Sequence, residues 1–253
     1  PYDFYENQIR LADSLYKNYL PQYNFEEVKA AVMFFDSLRL SAISRQRRGL
    51  FDKKDTDENI LIAESRLLTA ARAHYYHAVG LTERDSIVGA CEHYLMALEI
   101  MEELMSNDEG LKAKGSKRNA ECCQLSNEDY EKVRFMALTY TRLGRLFYNE
   151  NYCDLSILKY KKALKCVDII EEKPFKADIY KQLGNSYHLS SMYDSALYYY
   201  KESLETSSNI VNKLDVEKSI AQIISKKGDA DSAIALIKNN LDKIENYGSK
   251  TAY

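Results

Sequence analysis

Residues 180–203, YKQLGNSYHLSSMYDSALYYYKES, constrain this chain more than any other stretch. Tyr180, Leu183 and Tyr187 fall at i, i+3 and i+7, one face of a helix, and Tyr193, Leu197 and Tyr200 fall at i, i+4 and i+7, again one face, after a break at Ser190 and Ser191. The segment therefore reads as two helices folded back on each other. Gly184 and Ala196 sit where the pair comes closest, and a larger side chain there would force the helices apart at about 1 to 3 kcal/mol.

The same positions recur elsewhere. Tyr140, Leu143, Gly144, Phe147, Ser156, Tyr160 and Ala163 match the pattern, as do Ala78, Leu81, Ala90, Tyr94 and Ala97, with His77 in place of leucine. Ile220, Ala221, Ile224, Ala233 and Ile237 form a later copy around a turn at Gly228-Asp229. An earlier pair is looser: Ile9, Leu11, Leu15, Tyr16 and Tyr19 stripe one helix up to Pro21, and Val28, Val32 and Phe35 face it from a second, running from Phe25 to about Ile43. This spacing of small and aromatic positions resembles the tetratricopeptide repeat, a helical hairpin of about 34 residues. The resemblance implies an all-α fold, an α-solenoid of stacked antiparallel hairpins in a right-handed superhelix, with about ten helices in five pairs.

A single solenoid over 1–253 is expected. It comprises a degenerate first hairpin and charged loop at 1–58, a second hairpin at 59–105, a loop insertion at 106–126 and three regular hairpins over 127–253. Ser126 with Glu128 and Asp129 marks a helix start, and Pro174 opens another helix where its missing N–H costs little. The tail ENYGSKTAY does not read as a polar capping helix, so self-association through an uncovered C-terminal end is expected.

Glycine and proline are sparse (9 and 3), tyrosine reaches 21, and a net charge of −3 gives no bias toward nucleic acid. No stretch reaches the roughly 18 to 20 apolar residues of a membrane span. Pro1 is not an initiator, so a processed leader or a longer native chain is expected. Five cysteines lack CxxC spacing and read as free thiols packed as small hydrophobes, with Cys122-Cys123 in a polar loop.

Catalytic motifs are missing: there is no phosphate-binding glycine loop, no GxSxG and no HExxH. His74 and His77, with His93 and Glu92 on the facing helix, suggest a metal site. Their register makes them hairpin packing residues instead, so neither a metal nor a cofactor is expected. Two loop clusters, Arg45, Arg47, Arg48, Lys53 and Lys54, then Lys112, Lys114, Lys117 and Arg118, would form a basic rim for an acidic partner or an anionic surface if hairpins stack.

The resemblance also implies where a ligand sits. First helices of such hairpins line a groove, and the family's groove positions fall here on Tyr75 and Val79, on Thr141, Arg145 and Tyr148, on Lys181, Asn185 and His188, and on Lys218 and Gln222. A non-enzymatic scaffold that holds a protein or peptide in that groove is therefore expected. Lys181 and Asn185 resemble half of the carboxylate clamp of tetratricopeptide cochaperones, but Ser219 stands where the clamp needs asparagine, and two exposed helix residues are the simpler reading. The tyrosine content and the Asp36–Leu38 segment are also similar to the sensor regions of Bacteroidetes envelope regulators. That likeness implies a sensory input module for signalling, in the periplasm or cell envelope rather than the cytoplasm.

Overall fold

The computed structural model describes residues 2–17, 24–47, 57–106 and 125–251. Among these every regular element is a helix: α1 (Tyr2–Lys17), α2 (Phe25–Arg47), α3 (Asp57–Glu83), α4 (Ile87–Ser106), α5 (Asn127–Asn149), α6 (Cys153–Ile170), α7 (Lys173–Leu189), α8 (Tyr193–Thr206), α9 (Ile210–Lys226) and α10 (Ala230–Thr251). The expected all-α architecture of helical hairpins is present. No described helix is long and apolar enough to cross a membrane. The chain divides into two compact units, Pro1–Thr139 and Tyr140–Tyr253, with the boundary inside α5.

Helix starts follow local chemistry. The Ser126 hydroxyl accepts the Asp129 N–H at 3.1 Å and caps α5, Pro174 lies in the first turn of α7, and the Asn209 side chain accepts from Val211 and Asn212 at the start of α9.

One turn closes four hairpins. The N–H of Ser86 donates to the carbonyl of Leu81, Tyr152 to Phe147, Met192 to Tyr187 and Asp229 to Ile224, at 2.9, 2.8, 2.9 and 3.2 Å. The residue before each donor has positive φ: Asp85 at 56°, Asn151 at 62°, Ser191 at 59° and Gly228 at 93°. This six-residue closure satisfies carbonyls that the helix end leaves open, and it works best with glycine at the left-handed position. Only one of the four turns has it. Ser191→Gly should therefore raise the stability of the second unit by about 0.5 to 1 kcal/mol, read as a higher urea midpoint, whereas an unchanged or lower midpoint would contradict the turn assignment.

In the first unit α3 and α4 form a hairpin, α2 packs on α3, and α1 packs on both α2 and α3. Val28, Val32 and Phe35 are buried as expected, with Tyr2 edge-on to Phe35 and Tyr5 stacked on Phe34 at 4.7 Å. Gly80 lets the Phe25 ring approach so closely that a β-carbon would lie 2.4 Å from it, and the Arg84 guanidinium lies over that ring, 3.6 Å from its centroid. The start of α5 is tied to α3 by Lys132, which contacts Glu64 at 3.8 Å, and by the Tyr75–Phe135 ring pair at 5.3 Å.

In the second unit α7 packs on α6 and α8, and α9 on α8 and α10. The repeated small positions are all closed: Ser156, Ala163, Ala196 and Ser203 are fully buried. Ser156 and Ser186 hydroxyls meet at 2.9 Å, and Ser203 donates to the Ala177 carbonyl at 2.8 Å. The last hairpin departs from the pattern. Ile237 takes the place held by Tyr160 and Tyr200, yet it is 46% exposed, and Ile234 and Leu241 beside it are exposed too. Tyr200 lies between α7 and the Ser219 side of α9, whereas no described helix follows α10 to cover Ile237.

Two helix ends lie beyond the sequence expectation. α2 continues to Arg47 through residues read as loop, and α10 continues to Thr251 through Gly248, since one interior glycine costs only about 1 kcal/mol. Arg48, Lys53, Lys54, Lys112, Lys114, Lys117, Arg118, Cys122 and Cys123 lie outside the described residues, and the side chains of Arg45 and Arg47 do too. Cys91, Cys153 and Cys166 are half-buried rather than fully packed.

Candidate functional site

The first unit holds a cleft of about 490 Å³ built by three helices. Ile9, Arg10 and Asp13 come from α1; Arg72, Tyr75 and Tyr76 from α3; Glu131, Arg134, Phe135 and Leu138 from the first half of α5. The volume falls within the ~300 to 1,000 Å³ of ligand pockets.

Its floor is aromatic and fixed. Tyr75 is 3% exposed and meets Tyr76, Tyr94 and Phe135 edge-on at 5.2, 5.7 and 5.3 Å. The Tyr76 hydroxyl donates to Asp13 Oδ1 at 2.5 Å. Burial first, and then that hydrogen bond and the Asp13 charge, push the phenol above its ordinary range, with Arg72 opposing. Asp13 is thereby occupied as an acceptor by the protein itself.

The charged lining is three arginines against two carboxylates, Asp13 and Glu131. Each of the three helices supplies one arginine: Arg10, Arg72 and Arg134. Arg10 pairs on the surface with Glu6 at 2.8 Å, while the exposed Arg72 makes no ion pair among the described residues. Three guanidinium groups over an aromatic floor can receive an anionic group and the apolar side chain next to it.

Of the sequence-derived positions, only Tyr75 lines this cleft, as floor rather than rim, and Val79 is buried. The groove positions implied by the resemblance begin at Tyr75, and Arg72 precedes it by a single turn, so one step back along α3 reaches it. Arg10 and Arg134 carry no comparable signal, because they join the site through packing of α1 and α5 against α3.

The other positions belong to α5, α7 and α9 in the second unit. Thr141 is buried, Tyr148 half-buried, and Arg145, Lys218 and Gln222 exposed. Lys181 is held by Asn212 Oδ1 at 2.6 Å, with Asp178 and Asp215 at 3.6 and 3.8 Å. Asn185 accepts the Tyr200 hydroxyl at 2.8 Å, so both clamp-like residues already have partners inside the unit. His188 lies 3.4 Å from Lys226 Nζ, and burial together with that charge holds its imidazolium below the ordinary value. Tyr160 is buried beside Arg145; burial pushes its phenol above the ordinary range, with Arg145 opposing.

The histidines cluster, but differently from a metal centre. His74, His77 and His93 hydrogen-bond to one another and to Asp36, with Glu92 exposed. Their nitrogens face each other in sequence instead of converging on a point, and among the described residues no group of three His, Cys, Asp or Glu is placed to hold a metal ion.

No protein-family model matches the sequence, and no curated protein matches it. Solved structures do. BtubC (BKLC) from P. vanneervenii is similar at 16% identity over 99% of this chain and 89% of that one, with a TM-score of 0.57. The nearly identical TPR-like repeats of a kinesin light chain from Podosopora anserina match at 13% identity, 97% and 95% coverage and a TM-score of 0.51. The Rap conjugation gene regulator of plasmid pLS20, in complex with the Phr* peptide, matches at 10% identity over 94% of this chain and 63% of that one, with a TM-score of 0.50. The fold is that of the TPR-like helical repeat proteins.

Proposed function

We propose that the chain is a non-enzymatic protein-interaction scaffold whose first-unit cleft holds an acidic peptide segment carrying an aromatic or other apolar side chain. The observation that carries this reading is that Arg10, Arg72 and Arg134, one from each of three helices, line one cleft with Tyr75 and Phe135. A peptide carboxylate takes paired hydrogen bonds from guanidinium groups, and its neighbouring side chain buries area on the rings. The likeness in fold to a regulator solved with a peptide bound supports the class of ligand. The scaffold reading extends to the groove positions of the second unit, of which Arg145, Lys218 and Gln222 are open to a partner.

The test is selection from a random peptide library on the whole chain. Binders are expected to be enriched in Asp and Glu beside aromatic residues and to weaken as salt rises. Recovery of basic or uncharged sequences, or of none, would contradict the proposal.

A further inference from the structure

We propose that Asp36, His74, His93 and His77 form one hydrogen-bonded chain that latches the α3–α4 hairpin onto α2 at neutral pH, takes up a single shared proton, and breaks when a second arrives. Asp36 Oδ1 lies 2.9 Å from His74 Nε2, His74 Nδ1 lies 2.8 Å from His93 Nδ1, and His93 Nε2 lies 3.1 Å from His77 Nδ1. The links join α2, α3 and α4, and His74 and His77 are 2% and 6% exposed.

Counting protons fixes the chain's direction. A carboxylate only accepts, so His74 carries its proton on Nε2 and, when neutral, accepts at Nδ1. His93 must then donate from Nδ1 and accept at Nε2, and His77 must donate from Nδ1. That leaves His77 Nε2 as a bare lone pair, and it is the one buried ring nitrogen of the three without a partner among the described residues.

One more proton is accommodated without losing a bond. With both nitrogens of His74 protonated, His93 and His77 each exchange tautomer, both ring-to-ring links reverse while His74 Nε2 still donates to Asp36, and the last N–H emerges at His77 Nε2. The added charge is balanced by Asp36. A further proton would set N–H against N–H across 2.8 or 3.1 Å, and a ring-to-ring link must open.

The surroundings disfavour that second charge. From α2, Lys29 and Arg39 face the cluster along with Asp36; from the turn after α3, Arg84; and from α4, Glu92. Arg39 is itself engaged by Glu99 and Glu103, Arg84 lies over Phe25, and Phe25 packs on His77 at 4.9 Å. α1 meets α2 through Tyr2 and Tyr5, and its Asp13 is taken by Tyr76. Burial first, and then His93, His74, Lys29 and Arg84, bring His77 down to about 4. Burial and the His74 charge lower His93 as well, against Asp36 and Glu92. Burial raises Asp36, but the His74 hydrogen bond and the charges of His74, Arg39 and His93 outweigh it and hold the carboxyl low. The folded values of His77 and His93 lie below the unfolded value of about 6.5, so stability is full above that pH and is lost as pH falls toward 4.

The experiment is long-range ¹⁵N–¹H correlation of the imidazoles of the whole chain from pH 8 to 4, with helicity followed in parallel. The chain has four histidines, so His188 serves as an internal control. At pH 8 His74 should carry its proton on Nε2, and His93 and His77 on Nδ1, the rarer form. On acidification the three rings should shift together in one step, with helical signal lost only below it. Asp36→Asn keeps an acceptor for His74 but removes the charge, and should move the shared step down by at least about one pH unit. His93 or His77 protonated on Nε2 at pH 8, or three rings titrating separately near the ordinary value, would overturn the proposal. The wild-type spectra decide this even if the variant does not fold.

Discussion

Tyr200→Ala is expected to lower the stability of the second unit by about 3 to 5 kcal/mol, the range for removing a fully buried aromatic side chain. Tyr200 has no exposed surface, its ring lies flat over Gly184, and its hydroxyl donates to Asn185 across the hairpin. A β-carbon on Gly184 would sit 2.5 Å from two ring carbons, too close for any contact without movement. Gly184→Ala should thus cost about 1 to 3 kcal/mol in the wild-type background. Once Tyr200 is alanine the obstruction is gone, and the better helix propensity of alanine, about 1 kcal/mol over glycine, should make the same substitution neutral or stabilising. This reversal of sign in a double-mutant cycle, measured by urea unfolding, is the sharper form of the prediction. Equal costs of Gly184→Ala in both backgrounds would contradict the packing.

Reversing the rim charge should have the largest effect on binding. Arg72→Glu combined with Arg134→Glu replaces two donors by two repulsive carboxylates facing the proposed acidic ligand. A charge-assisted hydrogen bond contributes about 1.5 to 3 kcal/mol, so affinity for a selected acidic peptide should fall at least tenfold for either change and a hundredfold or more for both. Circular dichroism of the Arg72→Glu chain should be nearly unaltered, since Arg72 is exposed and makes no ion pair among the described residues. An affinity within twofold of wild type would remove the cleft from consideration.

Much of the hairpin architecture was legible because it rests on fixed spacings. Gly184 and Tyr200, Gly144 and Tyr160, and Ala78 and Tyr94 share one separation, and each small residue marks where the ring of the second helix crosses the first. That mechanism needs only local periodicity. Sites built between hairpins were less visible. The spacing of His74, His77 and His93 brought those three together on paper, yet it proposed Glu92 as their companion. The actual partner, Asp36, comes from α2, a helix whose register against α3 is set by Phe25 at Gly80 and not by any repeat position. Likewise Tyr75 was found through its place three residues before Ala78, while Arg10 and Arg134 reach the cleft only because α1 and α5 pack beside α3. Helix ends at Arg47 and Thr251 were missed for a simpler reason, since charged residues and one glycine weaken a helix without stopping it.

Amide hydrogen exchange of the whole chain, with and without a selected acidic peptide, tests the central claim most directly. Binding in the cleft predicts added protection concentrated in α1, in α3 around Arg72 to Tyr76 and in the first half of α5, and its absence in the Arg72→Glu, Arg134→Glu variant. Protection confined to α9 and α10, or no change in α1, α3 and α5 at saturating peptide, would contradict it.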